Sequence, residues 1–275
     1  MMTTDSLGRR FWKMTGSGND FVFFDTRREP PGVLEFDETI DRVCARATGV
    51  GADGVVFLQT DDTEAFRIRY FNRDGSLGEL CGNASLCSVR LAVELGIGQP
   101  EGFRFNTDAG VISARVADGD PEIDLQPVRG LRQEAGIELS RGEERLGFVD
   151  SGVPHLVALV QDVGTVDVEG RGRILRTHPS LRDGANVNFV SKDRDGRWRV
   201  RTYERGVEAE TLACGTGSVA TAILLEAWGL GGSETALETR SGRTLTVTIR
   251  GQGSVRSPSL RGEGRLVFVG ELRDV

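Results

Sequence analysis

Two stretches decide the fold: RIRYFNRDGSLGELCGNASLCSVRLAVELG, residues 67–96, and RVRTYERGVEAETLACGTGSVATAILLEAWG, residues 199–229. Set side by side, Arg67-Ile68-Arg69 matches Arg199-Val200-Arg201 at an offset of 132, and Asn72 falls opposite Glu204. Cys81-Gly82-Asn83 matches Cys214-Gly215-Thr216 at an offset of 133, so the second copy holds one more residue in between. The match extends upstream. GADGVVFL (51–58) lies opposite DGANVNFV (183–190), and GSGNDFVFF (16–24) lies roughly opposite DSGVPHLVAL (150–159). One shared Cys-Gly dipeptide means little, but four blocks in the same order indicate two homologous halves.

Each half reads alike. An apolar strand such as FVFFD or HLVALV comes first, then a Gly/Asp or Gly/Asn turn into GVVFL or NVNFV, then an alternating strand, FRIRYFN or WRVRTYE. A Cys-Gly turn then opens a helix, and further strands follow. Several strands around one helix predict an α+β fold. It would have two pseudo-symmetric half-domains, each a curved β-sheet or barrel around a central helix, with the active site in the cleft between them. PEIDLQPVRGLR carries two prolines and little periodicity, which puts the boundary near residue 125. Residues 1–125 then carry Cys81 and residues 126–264 carry Cys214, with the last strand, 265–275, returning to the first half.

The 275 residues suffice for a real core without disulfides or structural metal. Hydrophobic residues at 38% and charged residues at 27% describe an ordinary globular chain. The net charge of −7 argues against a nucleic-acid binder, which needs a basic face. No apolar run is long enough for a membrane span, and the N-terminus has no apolar signal-peptide region, so a cytoplasmic setting with reduced thiols is expected. Only two histidines occur, His155 and His178, with no CxxC pair or HExxH, so no metal site is expected.

The helices after Cys81 and Cys214 carry no charge until Arg90 and Glu226. A helix apolar on most sides is buried, so each thiol is expected at the mouth of a central helix. There the helix dipole favours thiolate. The free N–H groups of Gly82-Asn83 and Gly215-Thr216 form a carboxylate seat. Two thiols on opposite faces suit inversion of a stereocentre that carries a hydrogen, one taking the proton and the other returning it. Helix N-termini would stabilise the developing negative charge. Cys44 and Cys87 read as small buried hydrophobes.

These residues carry a resemblance. MTGSGNDFVFFD, GVGADGVVFL, YFNRDGS, LCGNASLC, GVPH, GANVNFV and YERGVEAETLACGTG occur in the order found in the diaminopimelate epimerase family, over nearly the whole chain. The resemblance implies a cofactor-independent isomerase that interconverts LL- and meso-2,6-diaminopimelate in lysine and peptidoglycan precursor synthesis, without metal and as a homodimer. It implies that Cys81 and Cys214 are the acid/base pair. Gly82, Asn83, Gly215 and Thr216 would seat the reacting carboxylate. Asn19, Asn72 and Asn186 would be substrate-binding amides, and Arg205 the partner of the distal carboxylate. His155 and Glu204 would set the thiol pKa values and hold the ammonium group.

Three positions and one link depart from the family pattern, the link being VEAET (207–211), longer than usual between ERG and the Cys-Gly turn. Val153 stands where Asn is common before the histidine, and Ala84 and Leu86 replace Gly and Arg in CGNGARC. They bear on substrate fit more than on reaction class. The competing readings are a proline or hydroxyproline-type epimerase, a redox protein using a Cys81–Cys214 disulfide, and a non-catalytic amino-acid-binding module.

Overall fold

A computed structural model describes residues 8–78, 80–251 and 256–273. In chain order the elements begin with β1 (Arg9–Gly16), β2 (Asn19–Asp25), α1 (Asp37–Cys44), β3 (Gly54–Gln59), β4 (Arg67–Asn72) and β5 (Leu77–Gly78). Next come α2 (Gly82–Glu94), β6 (Phe103–Thr107), β7 (Gly110–Ala117), β8 (Asp120–Asp124), β9 (Arg129–Arg132) and β10 (Glu143–Asp150). They continue with β11 (Pro154–Val160), α3 (Val168–Arg176), β12 (Asn186–Lys192), β13 (Trp198–Glu204), β14 (Ala209–Thr211) and α4 (Gly215–Ala227). The chain closes with β15 (Glu234–Glu238), β16 (Thr244–Arg250), β17 (Ser257–Arg261) and β18 (Arg265–Leu272).

The chain divides into two compact units. One takes the residues up to Ile123 together with those from Glu263 onward, and the other is Asp124–Gly262. In the first, strands follow the order β18-β1-β2-β3-β4-β6-β7-β8. Among the described residues only β2/β3 and β4/β6 are parallel in this unit, and β5 adds a short antiparallel ladder on β4. The second follows β9-β10-β11-β12-β13-β15-β16-β17, with, among the described residues, only β11/β12 and β13/β15 parallel and β14 added on β13. The two topologies are the same. Among the described residues no ladder joins β8 to β18 or β17 to β9, so each unit is an open mixed sheet and not a closed barrel.

Register fixes the correspondence of the halves residue by residue. Val55 pairs with Phe71 in the first unit, as Val187 pairs with Tyr203 in the second. Phe21 lies beside Gly54, as His155 lies beside Asn186. Phe21 is therefore the counterpart of His155, and Asn19 that of Val153.

The central strands are covered on both sides, which explains their unbroken apolar runs: β3 is buried from Gly54 to Leu58, and β12 from Asn186 to Ser191. The short helices supply one cover. Ile40 and Val43 of α1 pack with Phe24, Phe57 and Phe71, and Val168 and Leu175 of α3 pack with Phe189 and Tyr203. The long helices α2 and α4 supply the other. Each has 13 residues and is buried almost all round. Two of their buried hydroxyls bond back within the helix: Ser88 donates to the Ala84 carbonyl at 2.8 Å and Thr221 to the Gly217 carbonyl at 2.8 Å. Both helices stop on a left-handed glycine, Gly96 (φ 68°) and Gly229 (φ 72°). Ile97 N–H bonds Ala92 O, and Leu230 N–H bonds Leu225 O, each at 2.9 Å. These are matching Schellman ends.

Leu224 is fully buried on α4 and lies where any side chain at Gly147 would meet it. Leu224→Ala is expected to cost about 2–5 kcal/mol in urea unfolding, with no loss of the α+β circular-dichroism signature.

Candidate active site

The two cysteines precede their helices with nearly the same backbone geometry. Cys81 precedes α2 with φ −123° and ψ 116°, and Cys214 precedes α4 with φ −130° and ψ 115°. An extended residue directly before a helix leaves the first-turn N–H groups pointing outward past its side chain. All four cysteines are free thiols. Burial pushes Cys44 up to about 12 and Cys87 well above the ordinary thiol range, so these two stay protonated and inert.

In the second unit Cys214 accepts hydrogen bonds. Gly217 N–H donates to its Sγ at 3.3 Å, and Thr216 Oγ1 lies 3.5 Å from Sγ. Behind Thr216 stands His155, fully buried, with Nε2 at 3.0 Å from Thr216 Oγ1. The imidazole tautomer follows from its other neighbour. Asn188 Nδ2 donates to the Leu156 carbonyl at 2.9 Å, and Thr202 Oγ1 donates to Asn188 Oδ1 at 2.9 Å, which fixes the amide. The same Nδ2 faces His155 Nδ1 at 3.1 Å, so Nδ1 is the acceptor and the ring proton sits on Nε2. That proton goes to Thr216 Oγ1, leaving the Thr216 hydroxyl hydrogen for Cys214 Sγ. Burial first, and the charge of Arg205 second, lower His155 to about 3, so it acts as a neutral donor.

The remaining residues singled out by sequence in this unit lie around the ends of β11, β12 and β13. Asn186 accepts from the Arg205 backbone N–H at 2.8 Å and donates to the Pro154 carbonyl at 3.4 Å. The Arg205 guanidinium reaches the Asp183 carbonyl at 3.2 Å. Glu204 ends β13, half-buried.

In the first unit the Cys81 thiol donates to Asn19 Oδ1 at 3.7 Å, and Asn83 Nδ2 lies 3.4 Å from the same oxygen. Asn19 is tied in turn to Asp53 at 2.7 Å. Asn72 is engaged on its own hairpin instead: Tyr70 Oη donates to its Oδ1 at 2.8 Å, and its Nδ2 donates to Ser76 Oγ at 3.0 Å. A small pocket beside Cys81 is lined by Tyr70, Ser85 and Asp108 among others, and the buried Ser85 Oγ has no partner. Among the described residues no group of three or more His, Cys, Asp or Glu could hold a metal ion.

Sequence reasoning missed Asn188, Thr202 and Gly217. The signal for Asn188 was present in Asn186-Val187-Asn188: a second amide two residues on shares a face of the strand, and a buried amide must find partners.

The fold first defines a class. The chain superposes on a PhzF-family phenazine biosynthesis protein from Bacillus anthracis with TM-score 0.75 at 14% identity, covering 97% of this chain and 99% of that one. It superposes on a hydroxyproline epimerase from Agrobacterium vitis with TM-score 0.68 at 18% identity, covering 98% and 94%. It is thus a member of this duplicated α+β fold. The diaminopimelate epimerase family profile matches residues 11–129 and 147–264. A diaminopimelate epimerase from Gemmatimonas aurantiaca is 48% identical over 274 residues, covering 95% of this chain and 98% of that protein. The chain belongs to the diaminopimelate epimerase family.

Two expectations follow from the Cys214 chain. Because His155 stays neutral in the fold while an unfolded histidine protonates below about pH 6.5, unfolding gains protons as pH falls. Stability is therefore full above that pH and drops between about 6.5 and the folded value of about 3. Urea midpoints at pH 7 and pH 5 should differ more in the parent protein than in His155→Gln. A Cβ at Gly217 would collide with Asn188 Oδ1. Gly217→Ala should thus slow Cys214 alkylation at pH 7 several-fold while leaving the helix intact.

Proposed function

We propose that this chain is a diaminopimelate epimerase that works by two-base proton transfer between thiols. The carrying observation is the duplicated cysteine at a buried helix N-terminus, in a chain that matches the family along nearly its whole length. In the proposed reaction one cysteine, as thiolate, removes the α-hydrogen. The new S–H bond takes that proton, and the C–H electron pair spreads into the substrate carboxylate. Gly82, Asn83, Gly215 and Thr216 hold that carboxylate and stabilise its growing charge. The other cysteine, as thiol, delivers its proton to the opposite face and is left as thiolate. The proton count balances, and the two cysteines exchange protonation states in each turnover. The proposal requires both thiols to reach one α-carbon from its two sides.

Arg205 suits the distal carboxylate through its planar fork, and Asn19, Asn72 and Asn186 supply amides for the polar ends of the substrate. Glu204 is assigned to the ammonium group. His155 acts on Cys214 through Thr216. The need for two reduced thiols supports a cytoplasmic setting. No helix among the described residues is long and apolar enough to cross a membrane. Val267, Phe268 and Val269 of β18 are exposed, which supports a homodimer.

The test uses LL-diaminopimelate in heavy water with reduced protein. α-Deuterium should enter as the meso isomer appears, with chelators without effect. Cys81→Ser and Cys214→Ser should each lower turnover by about two orders of magnitude or more, at unchanged melting temperature. Near-parental turnover in either variant would sink the two-thiol reading.

A further inference from the structure

The Asn19 amide can face Cys81 in either of two ways, with opposite effects on the thiol. Its oxygen accepts from S–H and favours the protonated form, whereas its N–H₂ would donate to and favour the thiolate. Asn19 Nδ2 lies 2.7 Å from Asp53 Oδ2. An ionised carboxylate only accepts, so the nitrogen must point to Asp53 and the oxygen to Cys81, as observed at 3.7 Å.

Asp53 is itself held on several sides. Its backbone N–H donates to the Asp20 carbonyl at 2.9 Å, and the Asp20 N–H donates to its Oδ2 at 3.2 Å. Arg46 bridges Asp53 at 2.7 Å and Asp20 at 2.8 Å. The buried Lys13 joins Asp20 at 2.6 Å and caps the Gly51 carbonyl two residues before Asp53. Burial raises the Asp20 carboxyl, but Arg46 and Lys13 outweigh it and hold that carboxyl below its ordinary value. The second unit has no counterpart: Val153 and Ala185 occupy the positions equivalent to Asn19 and Asp53.

We propose that Asp53, anchored by Arg46, is a positioning residue that locks the Asn19 amide with its oxygen toward Cys81, so that Cys81 rests as the thiol while Cys214, which accepts from Gly217 N–H, rests as the thiolate. This deepens the reading of Cys81 as an acid/base group, but its test reads thiol chemistry and not turnover, so the two can fail separately.

Asp53→Asn frees the Asn19 amide to turn. Iodoacetamide labelling of Cys81, followed by mass spectrometry across pH, should then show a midpoint shifted down by about half to one unit and about threefold to tenfold faster labelling at pH 7. Loss of the Asp53 charge alone would also move the midpoint down, so the decisive comparison is made in an Asn19→Ala background. There Asp53→Asn should add little. Arg46→Met keeps the carboxylate but removes its anchor, and should give a smaller shift in the same direction. The side chains of Asp53 and Arg46 are 38% and 60% exposed, so neither variant empties a core site. Should Asp53→Asn fail to fold, the Arg46→Met profile decides alone. An unshifted Cys81 profile in folded variants overturns the proposal, and so does a shift of Asp53→Asn that persists undiminished without Asn19.

Discussion

A cysteine held in extended backbone directly before a buried helix is the constraint on which each unit depends. The helix cannot solvate its first N–H groups sideways, because its flanks are packed against sheet. Those donors and their partial positive charge are therefore concentrated at the one open end, where the thiol sits. The rest of the unit serves this arrangement. Apolar strands cover the helix, Ser88 in one unit and Thr221 in the other bond back to carbonyls of their own helix, and a left-handed glycine ends it after 13 residues.

Duplication makes the backbones equivalent, and the side chains then make the two thiols different. Where the first unit has Phe21, the second has His155, buried and neutral behind Thr216. Where the second has Val153, the first has Asn19, whose oxygen accepts from Cys81. A symmetric scaffold thus carries one thiol facing an acceptor and one facing a backbone donor. Unequal surroundings of this kind give two otherwise equivalent groups different proton affinities.

The exposed stretch of β18 follows a different logic. Val267, Phe268 and Val269 are exposed although β18 pairs with β1, and Phe268 meets Phe11 edge-on at 5.9 Å. The apolar run Leu266-Val267-Phe268-Val269 marks a strand, but it cannot say which face another molecule covers.

The sequence by itself determined the duplication, the α+β class and the two cysteines at helix starts, because repeated order, strand alternation and an uncharged helix are local patterns written along the chain. Asn83 and Thr216 stood out as the residues just after the helix-start cysteines, whereas Asn19 and His155 were singled out through the family resemblance. Only the tertiary structure decided the chain Thr202–Asn188–His155–Thr216–Cys214 and the anchoring of Asn19 by Asp53 and Arg46. Those links join residues up to 61 positions apart. Their chemistry depends on which amide end faces which partner, and on a burial deep enough to keep an imidazole neutral. Strand register and packing set those quantities, and no local pattern encodes them.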